Sequence, residues 1–222
     1  CRPQLRRNKL LFVHLPRLLI SLILLLFLWQ SVGVGLRWYI SGRAPWTNAY
    51  ESMVYVGWIT VLAGLLFARR STLTLALATL MGGVVLFVSN LNWLDPQITP
   101  LVPVLKSYWL MIHVSVITAS YGFFGIGAIT GLAALIAIIL GRPQRELRII
   151  GELTLLIGLV LLAAGIFLGA IWANESWGRY WGWDPKETWA LITMVVYAIV
   201  THLHLVKRWN NLWLFNLASV IA

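Results

Sequence analysis

Cysteine is almost missing from this chain: the only one is Cys1. An intrachain disulfide is therefore excluded, and so is a C-x-x-C thiol redox pair. Charge is scarce too, at 11% of residues, and acids scarcer, with 7 Asp and Glu against 17 Lys and Arg. Together with 60% hydrophobic residues, this excludes a soluble globule built around one core. The net charge of +10 could attract nucleic acid. The cations, however, cluster between long apolar runs, which is where membrane proteins collect them. Internal repeats, low-complexity tracts and a soluble domain are also lacking.

What is present is a series of apolar runs at about 15–36, 50–68, 72–92, 108–140, 149–172 and 186–206, with the opening of a seventh from about 212. Each full run meets the roughly 20 residues a helical span needs. Strands are excluded, because an open sheet cannot cross a bilayer and a barrel shows short alternating segments. The expected fold is an all-α polytopic transmembrane bundle of about six full spans plus the start of a seventh. The 108–140 run exceeds one span, so it must tilt, protrude or break near Gly122, Gly125 and Gly127. Residues 1–30 are not read as a signal peptide, since the apolar run is too long and no small-x-small cleavage site stands out. The Cys start and the half-length run at 212–222 give the expectation of a piece of a longer chain.

Charge sets the expected orientation. Of the 17 cations, twelve share one side: Arg2, Arg6, Arg7, Lys9, Arg17, Arg69, Arg70, Arg142, Arg145, Arg148, Lys207 and Arg208. Arg37, Arg43, Lys106, Arg179 and Lys186 lie on the other. The positive-inside rule puts the N-terminus inside and the segments 37–49, 93–107 and 173–185 outside.

Residues 177–189, Trp-Gly-Arg-Tyr-Trp-Gly-Trp-Asp-Pro-Lys-Glu-Thr-Trp, hold four of the 13 Trp. An interfacial aromatic belt explains one or two such residues per helix end. The cluster of Trp172, Trp177, Tyr180, Trp181 and Trp183, with Trp189 a turn into the next helix, exceeds that. A flat aromatic platform suits a large planar ligand. Asp184, Pro185 and Glu187 have a structural explanation: N-cap, first helical residue and capping-box partner. Asp184 can also orient a Trp N–H. Asn48 and Glu51 repeat the cap spacing before the second span.

His14 sits among basic residues and reads as incidental. His113 lies about a turn into the fourth span, after Tyr108 and Trp109. His202 and His204 lie near the far end of the sixth. A His inside a span is costly and therefore a functional candidate; the alternatives are a helix–helix hydrogen bond and ligation of a haem iron. Without C-x-x-C-H, any haem would be held non-covalently. His202 follows Asp184 by 18 residues, about 27 Å of helix, so it cannot serve a site on the Trp cluster. Two separate sites would suit transport as well as binding. A quinone-binding electron-transfer subunit fits less well, because His113 and His202 lie at opposite depths.

The 177–189 stretch resembles the WWD signature of haem-handling proteins, in the form W-G-x-x-W-x-W-D-P-K-E-T-W. With Pro45-Trp46-Thr47-Asn48-Ala49-Tyr50-Glu51-Ser52, Tyr108-Trp109-Leu110-Met111-Ile112-His113-Val114 and the run from Trp177 through Thr193 to His202, the chain resembles the CcsA family of cytochrome c biogenesis (System II), found also in fused CcsBA synthases. That resemblance implies one transmembrane haem-handling domain over 1–222 with an external WWD loop at 173–185. It implies haem b as cofactor, bound by Trp177, Gly178, Trp181, Trp183, Asp184, His113 and His202. His113 would be an external axial ligand to the iron and His202 a transmembrane one. His204, on another helix face, does not match. The family's second external His falls beyond Ala222.

The implied activity is that of a holocytochrome c synthase (haem lyase), moving haem to the outer face for thioether attachment to the C-x-x-C-H motif of apocytochrome c. It would act by positioning, with no classical catalytic residue. The alternative is a haem exporter or chaperone that passes haem to a separate ligase. Implied partners are apocytochrome c, a CcsB (ResB) half and a thiol-reducing thioredoxin-like protein, with no nucleic acid. The implied location is a bacterial inner membrane or a thylakoid membrane.

Overall fold

The computed structural model describes residues 2–101, 103–142, 145–206 and 211–222, with the backbone alone for 2–13 and 104. Cys1, Lys207 and Arg208 lie outside the described residues. The elements are α1 (Arg2–Ser41), α2 (Ala49–Phe67), α3 (Thr72–Ser89), α4 (Tyr108–Ile139), α5 (Arg145–Trp177), α6 (Pro185–His202) and α7 (Leu212–Ile221), with 3-10 turns at Pro103–Lys106 and Leu203–Leu205. No strand occurs among the described residues. Six of the helices are long and apolar enough to cross a membrane; α7 is a shorter apolar helix.

Helix starts follow local chemistry. Asn48, Ser71, Asp184 and Asn211 each cap a helix with a side-chain oxygen on a first-turn N–H, satisfying donors that have no intrahelical partner. Helices α1 and α5 outrun their apolar segments at both ends, because helix propensity does not stop where hydrophobicity does. Thr60, Thr130 and Thr154 turn their hydroxyls onto carbonyls of their own helices, so these polar groups need no partner across the bundle.

Helix α4 is the central element, packed on α2, α3, α5 and α7, whereas α1 rests mainly on α2 and is largely exposed. It runs as one unbroken helix of 32 residues. Its glycines serve close approach instead of a break. A Cβ at Gly122 would lie 2.7 Å from Ile59 of α2, and one at Gly127 would collide with Leu155 of α5. Apolar side chains in a bilayer gain little from leaving lipid, so small residues that let backbones approach carry much of the packing.

Successive helices alternate in direction. The start of α2, the 90–107 segment, the start of α4, the end of α5 and the start of α6 meet at one end of the bundle around a shared cavity. The turns bearing Arg69, Arg70, Arg142 and Arg145 belong to the other end.

Candidate functional site

The cavity measures about 960 Å³, near the upper limit for small-molecule and cofactor sites. Trp46 enters from the segment before α2, His113 from α4, Trp172 and Trp177 from α5, Trp181 from the connecting segment and Trp189 from α6. It also reaches deep. Tyr121 and Thr193 form its inner wall, and Tyr121 lies thirteen residues into α4, about 20 Å along the helix. One turn further, Phe124 and Tyr197 stack with centroids 3.6 Å apart and planes 2° from parallel, closing the floor between α4 and α6.

The local fold of the Trp-rich segment follows from its caps. Gly178 has φ +69° and donates its N–H to Asn174 O at 2.8 Å, ending α5 as a left-handed glycine does. Asp184 caps α6 by accepting the Glu187 N–H at 2.8 Å, and Pro185 opens the helix. The Glu187 carboxylate returns to accept N–H groups from Gly182 at 2.7 Å and Asp184 at 3.4 Å. Those two bonds straddle Trp183, whose φ of 57° is an outlier for a bulky side chain. Glu187 thus holds a strained turn in place.

The rings do not make one flat platform. Trp172 and Trp177 meet edge to face at 4.7 Å and 68°, and Trp181 meets Trp183 at 5.7 Å and 85°. Edge-to-face contact is a preferred aromatic geometry, and it turns some faces toward the cavity and others away. Trp177, Trp181 and Asp184 line the cavity; Gly178 and Trp183 do not, and Trp183 is exposed. No described hydrogen bond joins Asp184 to an indole. Instead the Trp172 and Trp181 indole N–H groups are buried without an acceptor, although both residues line the cavity.

His113 is the clearest chemical group. Its Nδ1 lies 2.6 Å from Gly165 O on α5. A carbonyl can only accept, so Nδ1 carries the proton and Nε2 keeps its lone pair. This is the arrangement found for metal-bound His, with the distal N–H fixed by a carbonyl. Gly169 makes room for it: a Cβ there would fall 2.6 Å from the His113 ring. Among the described residues no three His, Cys, Asp or Glu side chains converge to hold a metal ion. One imidazole therefore suits an iron that arrives in its own macrocycle. The aromatic walls and the free Nε2 fit the haem that the resemblance implies.

His202 lies elsewhere. It is exposed near the end of α6, with Nδ1 on Ala198 O at 2.7 Å. The cavity approaches it more closely than the Trp cluster does: Thr193 precedes it by nine residues, about 14 Å of helix. His204 does not face away from it. The α-helix gives way to the 3-10 turn after His202, and the two rings lie 6.5 Å apart and 19° from parallel.

The mouth holds a group that motif reading sees only as a cap. Glu51 is 1% exposed. It accepts from Arg37 Nε at 2.9 Å, Arg43 Nη1 at 3.3 Å, and Thr47 N and Oγ1 at 2.9 and 2.8 Å. The same arginines reach on to Pro96 O at 2.7 Å and Thr99 O at 3.1 Å, tying down the segment that leads to Leu101 and Leu105 in the cavity wall. Trp46 donates its indole N–H to Met111 O at 3.0 Å, which ties its ring to the start of α4. The missed signal for Glu51 was an acid inside an apolar run, which needs cationic partners.

Residues 46–222 match the family described as cytochrome C assembly protein. The chain is 50% identical over 204 residues to Protein NrfI of Wolinella succinogenes, covering 88% of this chain and 23% of that one. It is 37% identical over 239 residues to the cytochrome c biogenesis protein CcsA of a Synechococcus species, covering 89% and 76%. It is 38% identical over 190 residues to CcsA of Chlamydomonas reinhardtii, covering 79% and 54%. The chain thus spans about a quarter of the NrfI protein and about three quarters of the Synechococcus one. With six membrane-crossing helices and these relatives, the chain is an integral membrane protein that belongs to the cytochrome c assembly protein family, as a CcsA-type member.

Proposed function

We propose that this protein takes haem across the membrane, holds it in the cavity through His113, and presents it for attachment to apocytochrome c. The observation that carries the reading is the His113 imidazole, pinned to Gly165 O and leaving Nε2 free in an aromatic cavity. Haem, as substrate, supplies two vinyl groups; each thiol of the acceptor's C-x-x-C-H motif adds its S and H across one C=C, so nothing leaves and the addition itself is redox-neutral, the reductant serving only to keep the thiols reduced beforehand. The chain's own task is positioning. His113 supplies an axial nitrogen, Trp177 and Trp181 supply ring contacts, and Gly178, Trp183 and Asp184 shape the segment carrying them. His202, toward the Arg-rich end, is a way-station for haem made inside. The excess of cations at that end orients the cavity to the outside, in a bacterial inner or a thylakoid membrane. The apocytochrome, a CcsB (ResB) half and a thioredoxin-like reductant are the proposed partners.

The test is absorption spectroscopy on the purified protein. Haem should be present with a nitrogen axial ligand, and His113→Ala should lose that signature and cytochrome c maturation together. Added imidazole should restore part of both. Gly169→Ala, which crowds the ring without removing it, should weaken the signature as well. Full maturation by His113→Ala without imidazole would remove the assignment. Haem binding without thioether product, when the partner half and apocytochrome are supplied, would make the protein an exporter for a separate ligase.

A further inference from the structure

The cavity has one cation whose place the fold does not explain. Lys186 lines it, one residue into α6 after Pro185. A positive side chain in the first turn opposes the helix macrodipole, so its position does not serve the helix. Its side chain is exposed and, among the described residues, makes no ion pair and no hydrogen bond. Two carboxylates share the lining, each using one oxygen in the cap: Asp184 Oδ1 accepts the Glu187 N–H, and Glu187 Oε2 accepts the N–H groups of Gly182 and Asp184. Trp172 and Trp181 also line the cavity, with their indole N–H groups buried away from it. An unpaired ammonium beside a helix N-terminus can receive a negative oxygen at this side of the cavity. The remaining wall is aromatic and aliphatic.

On the haem reading above, we propose that Lys186 is a specificity-determining residue that recognises the propionate edge of the macrocycle. The two propionates of protoporphyrin share one edge, and the vinyl groups lie on the other half. Holding the carboxylates at the start of α6 turns the vinyl half away from that helix. Lys186 then selects one in-plane orientation of the ring, while His113 selects its height and axial ligand. Orientation matters here because only a fixed vinyl edge can meet two thiols in a set order.

The experiment uses the full chain in detergent, titrated with iron protoporphyrin and with its dimethyl ester, which keeps the ring, iron and vinyls and loses both charges. The wild type should bind the diacid about tenfold tighter, the scale of one charge-assisted hydrogen bond. Lys186→Gln should bring the diacid down to the ester and leave the ester unchanged; Lys186→Arg should keep most of the preference. Equal wild-type affinities, or an undiminished preference in Lys186→Gln, would overturn the inference and leave the haem site standing if the His113-dependent spectrum persists. If neither porphyrin gives such a spectrum, the haem reading itself fails, and this inference with it.

Discussion

At the start of α2, Asn48 and Glu51 form a capping box; at the start of α6, Asp184 and Glu187 form another. The spacing is the same, and both boxes border the cavity. Their glutamates have different fates. Glu51 is buried with Arg37 and Arg43 on its two oxygens, and through them it binds the start of α2 to the end of α1 and to the 96–99 segment. Glu187 has no cation among the described residues and spends its free oxygen on two N–H groups around a strained Trp183. The same local device is a hub of the fold in one place and a clamp on an aromatic turn in the other. Neighbours from elsewhere in the chain make the difference.

The largest expected effect breaks the first member of this pair. Glu51→Ala removes the shared partner of two arginines whose side chains are themselves mostly buried, at 21% and 10% exposure. Removing one side of a buried ion pair costs about 3–5 kcal/mol. The variant should unfold at a markedly lower temperature in detergent, and the 93–107 segment should become open to protease. A change in unfolding below about 1 kcal/mol would place Glu51 with ordinary surface pairs and dissolve the contrast.

Much of this fold was legible in the sequence. The spans, the two capping boxes and the Pro at the start of α6 are local features, set by apolar run length and by which side chains satisfy orphan N–H groups. The clustering of His113 with Trp177 and Trp181 also followed from orientation alone. The contacts that make these residues a site come from distant parts of the chain. Gly165 and Gly169 face His113 across more than fifty residues, and a glycine in an apolar helix reads only as small. Arg37 and Arg43 look like orientation signals until Glu51 is seen between them. The His202–His204 pairing depends on a switch from α to 3-10 winding, and the depth of the cavity on how α4 and α6 cross; neither leaves a mark in the residue pattern.

An intermediate effect separates the two boxes by function. Glu187→Ala loses a cap contact, worth about 1 kcal/mol. It also frees Trp183 from its strained backbone, and such strain is worth about 1–3 kcal/mol. The two offset, so thermal unfolding should move little. The orientation of Trp181 and Trp183 should be lost, and haem affinity should fall about tenfold, the scale of one or two aromatic contacts. Glu51→Ala is expected to damage stability first, and Glu187→Ala binding first. A Glu187→Ala protein that is much less stable but binds haem normally would reverse the comparison.

The smallest effect tests the remaining member, Asp184, which both caps α6 and lines the cavity. Asn caps helices about as well as Asp, so Asp184→Asn should keep the bond to the Glu187 N–H. What it removes is a negative charge near the positive end of the helix, worth about 0.3–1 kcal/mol where exposed. It also removes a charge that competes with an anionic ligand for Lys186. These changes predict a slight loss of stability and a haem affinity equal to or modestly above that of the wild type. Asp184 would then serve the ligand only by starting the helix that carries Lys186. A tenfold loss of haem in Asp184→Asn, with unfolding unchanged, would instead mean that the carboxylate itself acts on the bound ring or its axial ligand. The two boxes would then differ in chemistry as well as in surroundings.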